Sequence, residues 1–171
     1  MSAQAASMAT TRNADLLTDP PGDTVSDNVS EQLSDRQTHL PALLAAARAA
    51  RGRAYAPYSG FQVGAALLDE HGRIHAGCNV ENAAYPQGQC AEATAIGQLV
   101  LAGGTRILAV VVVGVATDPV TPCGGCRQRL REFAADDCPV WVADLQQLRA
   151  TYTLGQLLPA SFGPDHLRAP H

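Results

Sequence analysis

Apolar positions in the first half of the chain change from helical to strand-like spacing and back. Residues 41–53 are rich in Ala, Leu and Arg and start with Pro41, which predicts a helix. Residues 61–68 and 73–78 predict two strands joined by a hairpin turn that ends in a glycine. Apolar side chains then recur at helical spacing over residues 89–101, which predicts a buried helix.

The second half continues this alternation of strands and helices. A near-continuous β-branched run over residues 107–115 predicts a strand that is covered on both faces. The sequence then predicts a helix from Pro122-Cys123 to Phe133, strands at 139–143 and 151–154, and a terminal turn or short helix at 157–162. This order of elements predicts the α/β class, with a mixed sheet sandwiched between helices.

The first segment of the chain differs from the rest in charge. Residues 1–38 contain six acidic and two basic residues and therefore carry the whole net charge of -4, whereas residues 39–171 are formally neutral. Too few apolar residues occur in residues 1–38 to form a core. We therefore predict a disordered acidic N-terminal tail over 1–38 and one catalytic domain over 39–171.

Composition excludes several function classes. All twelve basic residues are Arg, so chemistry that needs a lysine amine, such as a Schiff base or a P-loop, is excluded. The acidic balance argues against a nucleic-acid partner.

The longest apolar run, residues 107–116, is too short for a membrane span of about 20 residues. Because residues 1–38 also lack the apolar stretch of a secretory signal, we expect a cytoplasmic protein with no membrane partner.

Three of the five cysteines lie where helices are predicted to begin. Cys90 starts one helix, and Cys123 and Cys126 start another. The partial positive charge of a helix N-terminus favours the thiolate, which is the form that binds zinc. Each helix follows a sheet element, so the two N-termini can converge at one sheet edge. Three thiolates leave the fourth position of a tetrahedral zinc open for water, as catalytic sites do.

Glu92 adds an acid–base group two residues after Cys90. A carboxylate on the first turn of that helix can take a proton from water at the metal and pass it on. Taken singly, each signal has another interpretation: a C-x-x-C pair is also typical of a redox dithiol or a structural zinc site. Cys90 alone would be a buried hydrophobic residue, and Glu92 alone a solvated acid. Together they favour a catalytic zinc site, with Cys78 and Cys138 structural.

A second constellation, Asn79 and Glu81, follows the second predicted strand. The two residues alternate at strand-like spacing, so both side chains can face one side. An amide that donates and a carboxylate that accepts form a good pair for two vicinal hydroxyls. The alternative is a polar loop that satisfies its own backbone.

Five motifs occur together in this chain, at 58–67, 79–83, 90–92, 122–128 and 157–164. In their order and spacing, the chain resembles the small cytidine deaminases over about residues 54–167. The resemblance implies a five-stranded mixed sheet in a three-layer sandwich. It also implies hydrolytic deamination of cytidine and deoxycytidine to uridine and deoxyuridine in pyrimidine salvage.

The same resemblance implies roles for particular residues. It implies one Zn²⁺ per subunit, with Glu92 as the proton shuttle and with the ligands Cys90, Cys123 and Cys126. It implies contacts to the nucleoside within one subunit, from Phe61 to the pyrimidine, from the backbone around Ala91 to the amide edge of the base, and from Asn79 and Glu81 to the ribose 3′-hydroxyl. It implies a homotetramer whose pockets are completed by neighbouring subunits, through Ala83, Tyr85 and Phe162.

Two positions depart from the family pattern. Gln62 stands where the family usually has Pro, and Ala93 stands where it usually has an Arg that donates hydrogen bonds to the ligand thiolates. Without that Arg, two helix N-termini and Gln128 are left to offset the thiolate charge.

Three rival functions follow. Deaminases of cytosine-nucleoside antibiotics, of the blasticidin type, lose the Asn-Val-Glu-Asn motif that is intact here, so the motif favours an ordinary ribose. A polynucleotide editor is disfavoured by the neutral domain, which offers no basic groove. A zinc-stabilised scaffold without turnover is disfavoured by Glu92 but is consistent with Ala93.

Overall fold

The computed structural model describes residues 36–167. Its helices and strands follow one another as α1 Leu40–Arg51, β1 Val63–Asp69, β2 Ile74–Cys78, α2 Ala91–Leu101, β3 Ile107–Gly114, α3 Gly124–Phe133, β4 Pro139–Ala143, β5 Leu148–Thr153 and α4 Leu154–Leu157. Short 3₁₀ helices occur at Tyr85–Gln87 and Pro164–His166.

The five strands form one mixed sheet in the order β2-β1-β3-β4-β5. β3 and β4 are parallel, and the other neighbouring pairs are antiparallel. Helix α1 covers one face, where Leu43 and Ala47 are buried with Val111, and α2 and α3 cover the other, where Leu99 is buried with Val112. The predicted three-layer sandwich with a five-stranded mixed sheet is confirmed.

Gly77 allows helix α2 to lie directly against strand β2. A Cβ atom at this position would lie 2.4 Å from the backbone nitrogen of Ala95 and 2.5 Å from the carbonyl oxygen of Ala91. No other residue type fits so close a backbone approach. Gly77 therefore fixes the first turn of α2, with Glu92, at the end of the sheet where β2 stops.

The C-terminal elements differ from the sequence prediction. Strand β5 begins at Leu148, three residues before the predicted strand at 151–154, and the short helix spans Leu154–Leu157 rather than 157–162. A capping box explains the earlier helix: Gln156 N donates to Thr153 Oγ1 at 3.2 Å, and Thr153 N donates to Gln156 Oε1 at 2.8 Å.

The predicted tail lies mostly outside the described residues, which begin at residue 36. Residues 36–38 are helical, and Arg36 Nη1 lies 3.0 Å from Asp137 Oδ2. This ion pair joins the segment before α1 to the loop before β4. Between residues 36 and 167, no helix is long and apolar enough to cross a bilayer.

Candidate active site

The three cysteines at helix starts converge, as the sequence predicts. Cys90 is the N-cap of α2, Cys123 is the N-cap of α3, and Cys126 lies in the first turn of α3. Their Sγ atoms all lie within 4.8 Å of one another. Neither N-cap thiol accepts a capping hydrogen bond, so both sulfurs are free to face the cluster. The helix starts thus bring Cys90 together with Cys123 and Cys126, which follow it by 33 and 36 residues in the chain.

The sulfur spacing fits a zinc ion. Sulfur ligands at about 2.3 Å from a tetrahedral zinc lie about 3.8 Å from each other. The Sγ atoms of Cys90 and Cys123 are 3.8 Å apart. The donor set is soft and anionic when deprotonated, which suits zinc rather than magnesium or calcium. The residues present therefore fit a three-thiolate zinc site with a fourth position open.

The electrostatics of the thiols also favour a cation. Burial, the negative charge of Glu92 and the other two thiols raise the pKa of Cys126 far above its usual range. Burial likewise raises the pKa of Cys90. Burial opposes ionisation of Cys123 too, but hydrogen bonds from Cys126 and Cys90 outweigh it and lower that pKa. Anions packed this closely repel each other, and a divalent cation would relieve that repulsion.

Glu92 is buried beside the cluster. It occupies the first turn of α2 and is only 4% exposed. Burial raises the pKa of its carboxyl, and three favourable interactions lower it only in part: its own backbone N–H, the Cys126 thiol and the charge of Arg129. A carboxyl with a raised pKa can hold a proton nearer neutral pH than an exposed one. Glu92 is therefore a buried carboxyl with a raised pKa, which lies in the same cavity as two of the thiols.

Asn79 holds the strand before the site. Its Oδ1 accepts a hydrogen bond from Val63 N at 2.8 Å, and its Nδ2 donates to the carbonyl oxygen of Phe61 at 2.9 Å. These bonds fix the segment that carries Phe61. An amide has two N–H groups and two acceptor lone pairs, so one donor remains for a ligand.

Glu81 holds the preceding turn. Tyr58 N donates to its Oε2 at 2.8 Å, Ser59 N donates to the same oxygen at 3.3 Å, and the Ser59 hydroxyl donates to Oε1. The hydroxyl of Ser59 contributes most to a lowered pKa, so Glu81 is a carboxylate. Asn79 and Glu81 therefore bond the backbone of residues 58–63 rather than that of their own loop. Both side chains keep spare hydrogen-bonding capacity.

Two cavities border these residues. The metal-side cavity, of about 280 Å³, has mixed apolar and polar walls and is lined by Phe61, Val63, Asn79, Cys90, Ala91, Glu92, Val112, Val120, Thr121 and Cys123. The loop-side cavity, of about 390 Å³, is lined by Tyr58, Ser59, Glu81, Asn82, Tyr85 and Gly88. None of the three thiols lines the larger cavity, whereas Cys90 and Cys123 line the smaller one, so we assign the chemistry to the smaller one. Asn79 and Glu81 thus border different cavities.

Three predicted site residues do not reach the metal-side cavity within this chain. Ala83 and Tyr85 lie on the loop before α2, and Phe162 lies after α4. Tyr85 is 76% exposed and Phe162 is 58% exposed. Tyr85 lines the loop-side cavity, while Ala83 and Phe162 line neither of the two cavities described above.

Other residues in the site were missed by sequence reasoning. Val63, Val112, Val120 and Thr121 line the metal-side cavity. Three of them are ordinary strand or loop valines, and no sequence signal distinguishes them from core residues. Thr121 lies directly before the Pro-Cys motif, and its hydroxyl accepts a hydrogen bond from Arg127 Nη2 at 3.0 Å. That proximity to the motif is the one signal that could have identified it.

The expected compensation by Gln128 is absent from this structure. Gln128 Nε2 donates to the carbonyl oxygen of Phe162 at 2.9 Å rather than to a thiol. The Arg129 charge acts on Glu92 instead, as noted above. Arg129 therefore acts on Glu92, the residue before Ala93, and not on the three thiols.

Comparison with known proteins decides the family. The sequence model for the cytidine and deoxycytidylate deaminase zinc-binding region matches residues 37–142. The chain belongs to this family. The match includes all three clustered cysteines and Glu92.

Individual relatives agree with this assignment. The cytidine deaminase of Sporosarcina psychrophila is 44% identical over 125 residues, covering 73% of this chain and 92% of the relative. The cytidine deaminase of Mycobacterium tuberculosis is 43% identical over 126 residues, covering 71% of this chain and 87% of the relative. The crystal structure of cytidine deaminase from Burkholderia pseudomallei has a TM-score of 0.67 at 44% identity, covering 71% of this chain and 97% of that one.

Proposed function

We propose that this protein is a zinc-dependent hydrolase that deaminates cytidine and deoxycytidine to uridine and deoxyuridine. One observation carries the proposal: three thiols and a buried carboxyl meet at one cavity, in a chain of the deaminase family. The reaction forms a bond between water oxygen and C4 of the pyrimidine and breaks the bond from C4 to the amino nitrogen. Ammonia leaves, and no redox partner is needed.

Cys90, Cys123 and Cys126 would hold the zinc as thiolates. When bound there, zinc supplies Lewis-acid activation of a water molecule. Binding requires that the thiols lose their protons, which the two helix N-termini favour. Val63, Val112 and Val120 give the cavity apolar walls beside the thiols.

Glu92 carries the protons. Its carboxylate accepts a proton from the attacking water and delivers it to the ring nitrogen next to C4. The same carboxylate then takes the proton of the new hydroxyl on C4 and delivers it to the departing amino group, so it ends the cycle as it began. A pKa raised by burial suits a group that must both accept and donate.

Binding of the nucleoside would use groups from both cavities: Phe61, Asn79 and Ala91 on the metal side and Glu81 on the loop side. Phe61 packs against the base, and the backbone around Ala91 holds its amide edge. The spare N–H of Asn79 and the carboxylate of Glu81 contact the 3′-hydroxyl of the sugar. Their hydrogen bonds to residues 58–63 pre-orient both groups, which lowers the entropic cost of binding.

We also propose a homotetramer with shared active sites. Ala83 and Tyr85 of one neighbouring subunit and Phe162 of another would complete each pocket. The Tyr85 and Phe162 rings are 76% and 58% exposed, so both are accessible to a neighbouring subunit. Sedimentation and a kinetic effect of Tyr85→Ala on KM would test it.

The cellular role follows from the chemistry. Three reduced thiols are required to bind the metal, so we propose a cytoplasmic location. Conversion of free cytosine nucleosides to uracil nucleosides places the reaction in pyrimidine salvage. In this proposal, residues 1–38 are a tail dispensable for catalysis by the domain over 39–171, although Arg36 adds a surface ion pair.

The antibiotic-deaminase alternative is not favoured. The relatives at 42–44% identity are cytidine deaminases, and the intact Asn79–Asn82 motif matches an ordinary sugar.

The deciding experiment measures loss of cytidine absorbance on adding purified, zinc-loaded protein, with deoxycytidine and blasticidin S in parallel. Turnover of the first two supports the proposal. Turnover of blasticidin S alone would show that the substrate is an antibiotic nucleoside and not cytidine. No turnover at full zinc occupancy would favour a zinc-stabilised scaffold without enzymatic activity.

A further inference from the structure

The outer side of helix α3 holds the C-terminal segment that carries Phe162. Arg127 Nη1 donates to the carbonyl oxygen of Leu157 at 2.8 Å, at the start of this segment. Gln128 Nε2 donates to the carbonyl oxygen of Phe162 at 2.9 Å, in the middle of it. Arg131 Nε donates to the Ser161 hydroxyl at 3.1 Å. The helix that starts at two of the three thiols therefore also sets the path of residues 157–163.

Arg131 lies between this segment and two carboxylates. Its side chain is 15% exposed, and its guanidinium lies 3.6 Å from Asp136 and 3.5 Å from Asp165. The hydrogen bond to the Ser161 hydroxyl orients the guanidinium, and the two carboxylates add charge attraction at longer range. A planar group oriented in this way offers a flat surface to the backbone that packs on it.

Gly163 packs on that surface. A Cβ atom at this position would lie 2.7 Å from Arg131 Cζ and 2.9 Å from Nη2. The backbone of Gly163 is extended, with φ at -147°, so an alanine would fit its conformation and would conflict only with the guanidinium. An alanine here would therefore displace the guanidinium, the flexible end of the Arg131 side chain, without changing the chain path.

The backbone before Phe162 is held in an unusual conformation. Ala160 has φ at 50°, and it is the one non-glycine residue with positive φ within residues 36–167. For alanine this region costs about 1 kcal/mol. Strain of this kind persists where neighbouring contacts impose it, and it is concentrated at functional sites.

These contacts fix the backbone but leave the aromatic ring outside. The Phe162 ring is 58% exposed, and it stacks on His166 with ring centroids 5.0 Å apart. A surface ring on so constrained a backbone is oriented for a contact beyond its own chain. This is the geometry of a preorganised anchor, which binds with little loss of entropy.

We propose that Arg131, with Gly163 packed flat on its guanidinium, is a positioning residue that sets Phe162 for the substrate pocket of a neighbouring subunit. The inference rests on the proposed function, in which Phe162 completes that pocket. Arg131 touches neither substrate nor metal. It acts on substrate binding through the position of one aromatic ring.

The experiment compares Phe162→Ala, Arg131→Met and Gly163→Ala in the zinc-loaded, full-length protein, with cytidine as substrate. Phe162→Ala should raise KM about 10-fold through loss of the aromatic contact. Arg131→Met and Gly163→Ala should each raise KM about 3- to 10-fold, with kcat within about 2-fold and zinc content unchanged. Gly163→Ala keeps the test valid if Arg131→Met fails to fold, because its backbone conformation accepts alanine.

Arg149→Met is the matched control. Arg149 also donates to a carboxylate and a carbonyl, Asp144 at 3.1 Å and Thr117 at 2.9 Å, but it lies on strand β5. Its KM should equal that of the unaltered protein. An equal rise in KM for Arg149→Met would show a general effect of losing a surface arginine and would overturn the inference.

A double-mutant cycle separates positioning from a general structural effect. If Arg131 acts through Phe162, adding Arg131→Met to Phe162→Ala leaves KM unchanged. Full additivity, or no KM change in either Arg131→Met or Gly163→Ala, would overturn the inference while the shared pocket stands. No KM change in Phe162→Ala would overturn the shared pocket itself, and the inference with it. Deamination in either case would still support the proposed reaction.

Discussion

Two buried carboxyls at opposite ends of helix α2 have opposite electrostatics. Glu92, in the first turn of the helix, is 4% exposed, and Asp69, on the hairpin near its end, is fully buried. Arg73 joins the Asp69 end to the helix, since its Nη1 donates to the carbonyl oxygen of Ala102 at 2.9 Å. The pKa of Glu92 is raised, whereas that of Asp69 lies far below its usual range.

The number of hydrogen-bond donors explains the difference. Burial disfavours the charge on both groups. Around Asp69, however, four donors outweigh burial: backbone N–H groups of His71 at 2.9 Å and Arg73 at 2.8 Å, Arg73 Nε at 2.7 Å, and His75 Nε2 at 2.8 Å. Glu92 has no comparable set among the described residues. A saturated carboxylate stabilises a fold, and an undersaturated one remains available for proton transfer.

The largest expected effect is on catalysis, at Glu92. Glu92→Gln keeps the shape but cannot carry a proton, so kcat should fall about 10²–10⁴-fold. Zinc content and thermal midpoint should stay the same or rise, because a buried group with a raised pKa is easier to bury when neutral. Steady-state kinetics and elemental analysis would check this. A near-normal kcat would show that Glu92 does not transfer protons in the reaction. The proposed functional difference between Glu92 and Asp69 would then be wrong.

Asp69 should show the reverse pattern. Asp69→Asn leaves several buried donors without an acceptor, which should cost about 2–4 kcal/mol of unfolding free energy. Turnover per folded, zinc-loaded molecule should not change, since the hairpin lies far from the thiols. Urea unfolding and kinetics on the same sample would measure both.

Asp137→Asn is the control for Asp69→Asn. It removes an exposed ion pair with Arg36, and the Asp137 side chain is 57% exposed. Such pairs contribute about 1 kcal/mol or less. An equally small cost for Asp69→Asn would contradict the assigned role of the buried network.

A smaller effect should appear in the dependence of stability on pH. The folded-state pKa of Asp69 lies below its ordinary 3.8, and hydrogen bonds led by the Thr105 hydroxyl lower that of Glu70 from 4.5 to about 2. Between the folded and unfolded pKa values, the unfolded chain binds more protons. Stability from both groups is therefore complete above about pH 5 and is lost as pH falls below it.

Variants of the hairpin should flatten this acid limb. Asp69→Asn and Glu70→Gln should each lose less unfolding free energy than the unaltered protein between pH 5 and about pH 2. Because acid also releases thiolate-bound zinc, the quantity to compare is the difference between variant and unaltered protein at each pH. Parallel acid limbs would show that these carboxyls ionise alike in the folded and unfolded states.

The sequence predicted the metal end of the molecule well because local rules determine it. Cys90, Cys123 and Cys126 lie at helix starts, and helix starts that follow strands meet at a sheet edge. The Asp69 network was not predictable in this way. The hairpin turn over residues 69–72 has the composition of a solvated turn. Its burial depends on hydrogen bonds from Arg73 to Ala102 and from Thr105 to Glu70, and these partners come about 30 residues later in the chain.

The C-terminal region was predicted least well. The pattern Thr153-x-x-Gln156 is a capping-box signature that was available in the sequence and was missed. The contacts of Gly163 with Arg131, by contrast, join residues whose partnership depends on how the chain returns to α3. No periodicity or composition encodes that return, so the positioning of Phe162 emerges only from tertiary structure.

The most direct test of the central claim is a zinc titration of the metal-stripped protein, followed by deamination of cytidine. The three-thiol site predicts negligible activity without metal, then a linear rise that ends at about one zinc per chain. Cys126→Ala should show no such rise. Full activity of the stripped protein, or an unchanged titration of Cys126→Ala, would contradict the assignment of Cys90, Cys123 and Cys126 as the catalytic zinc site.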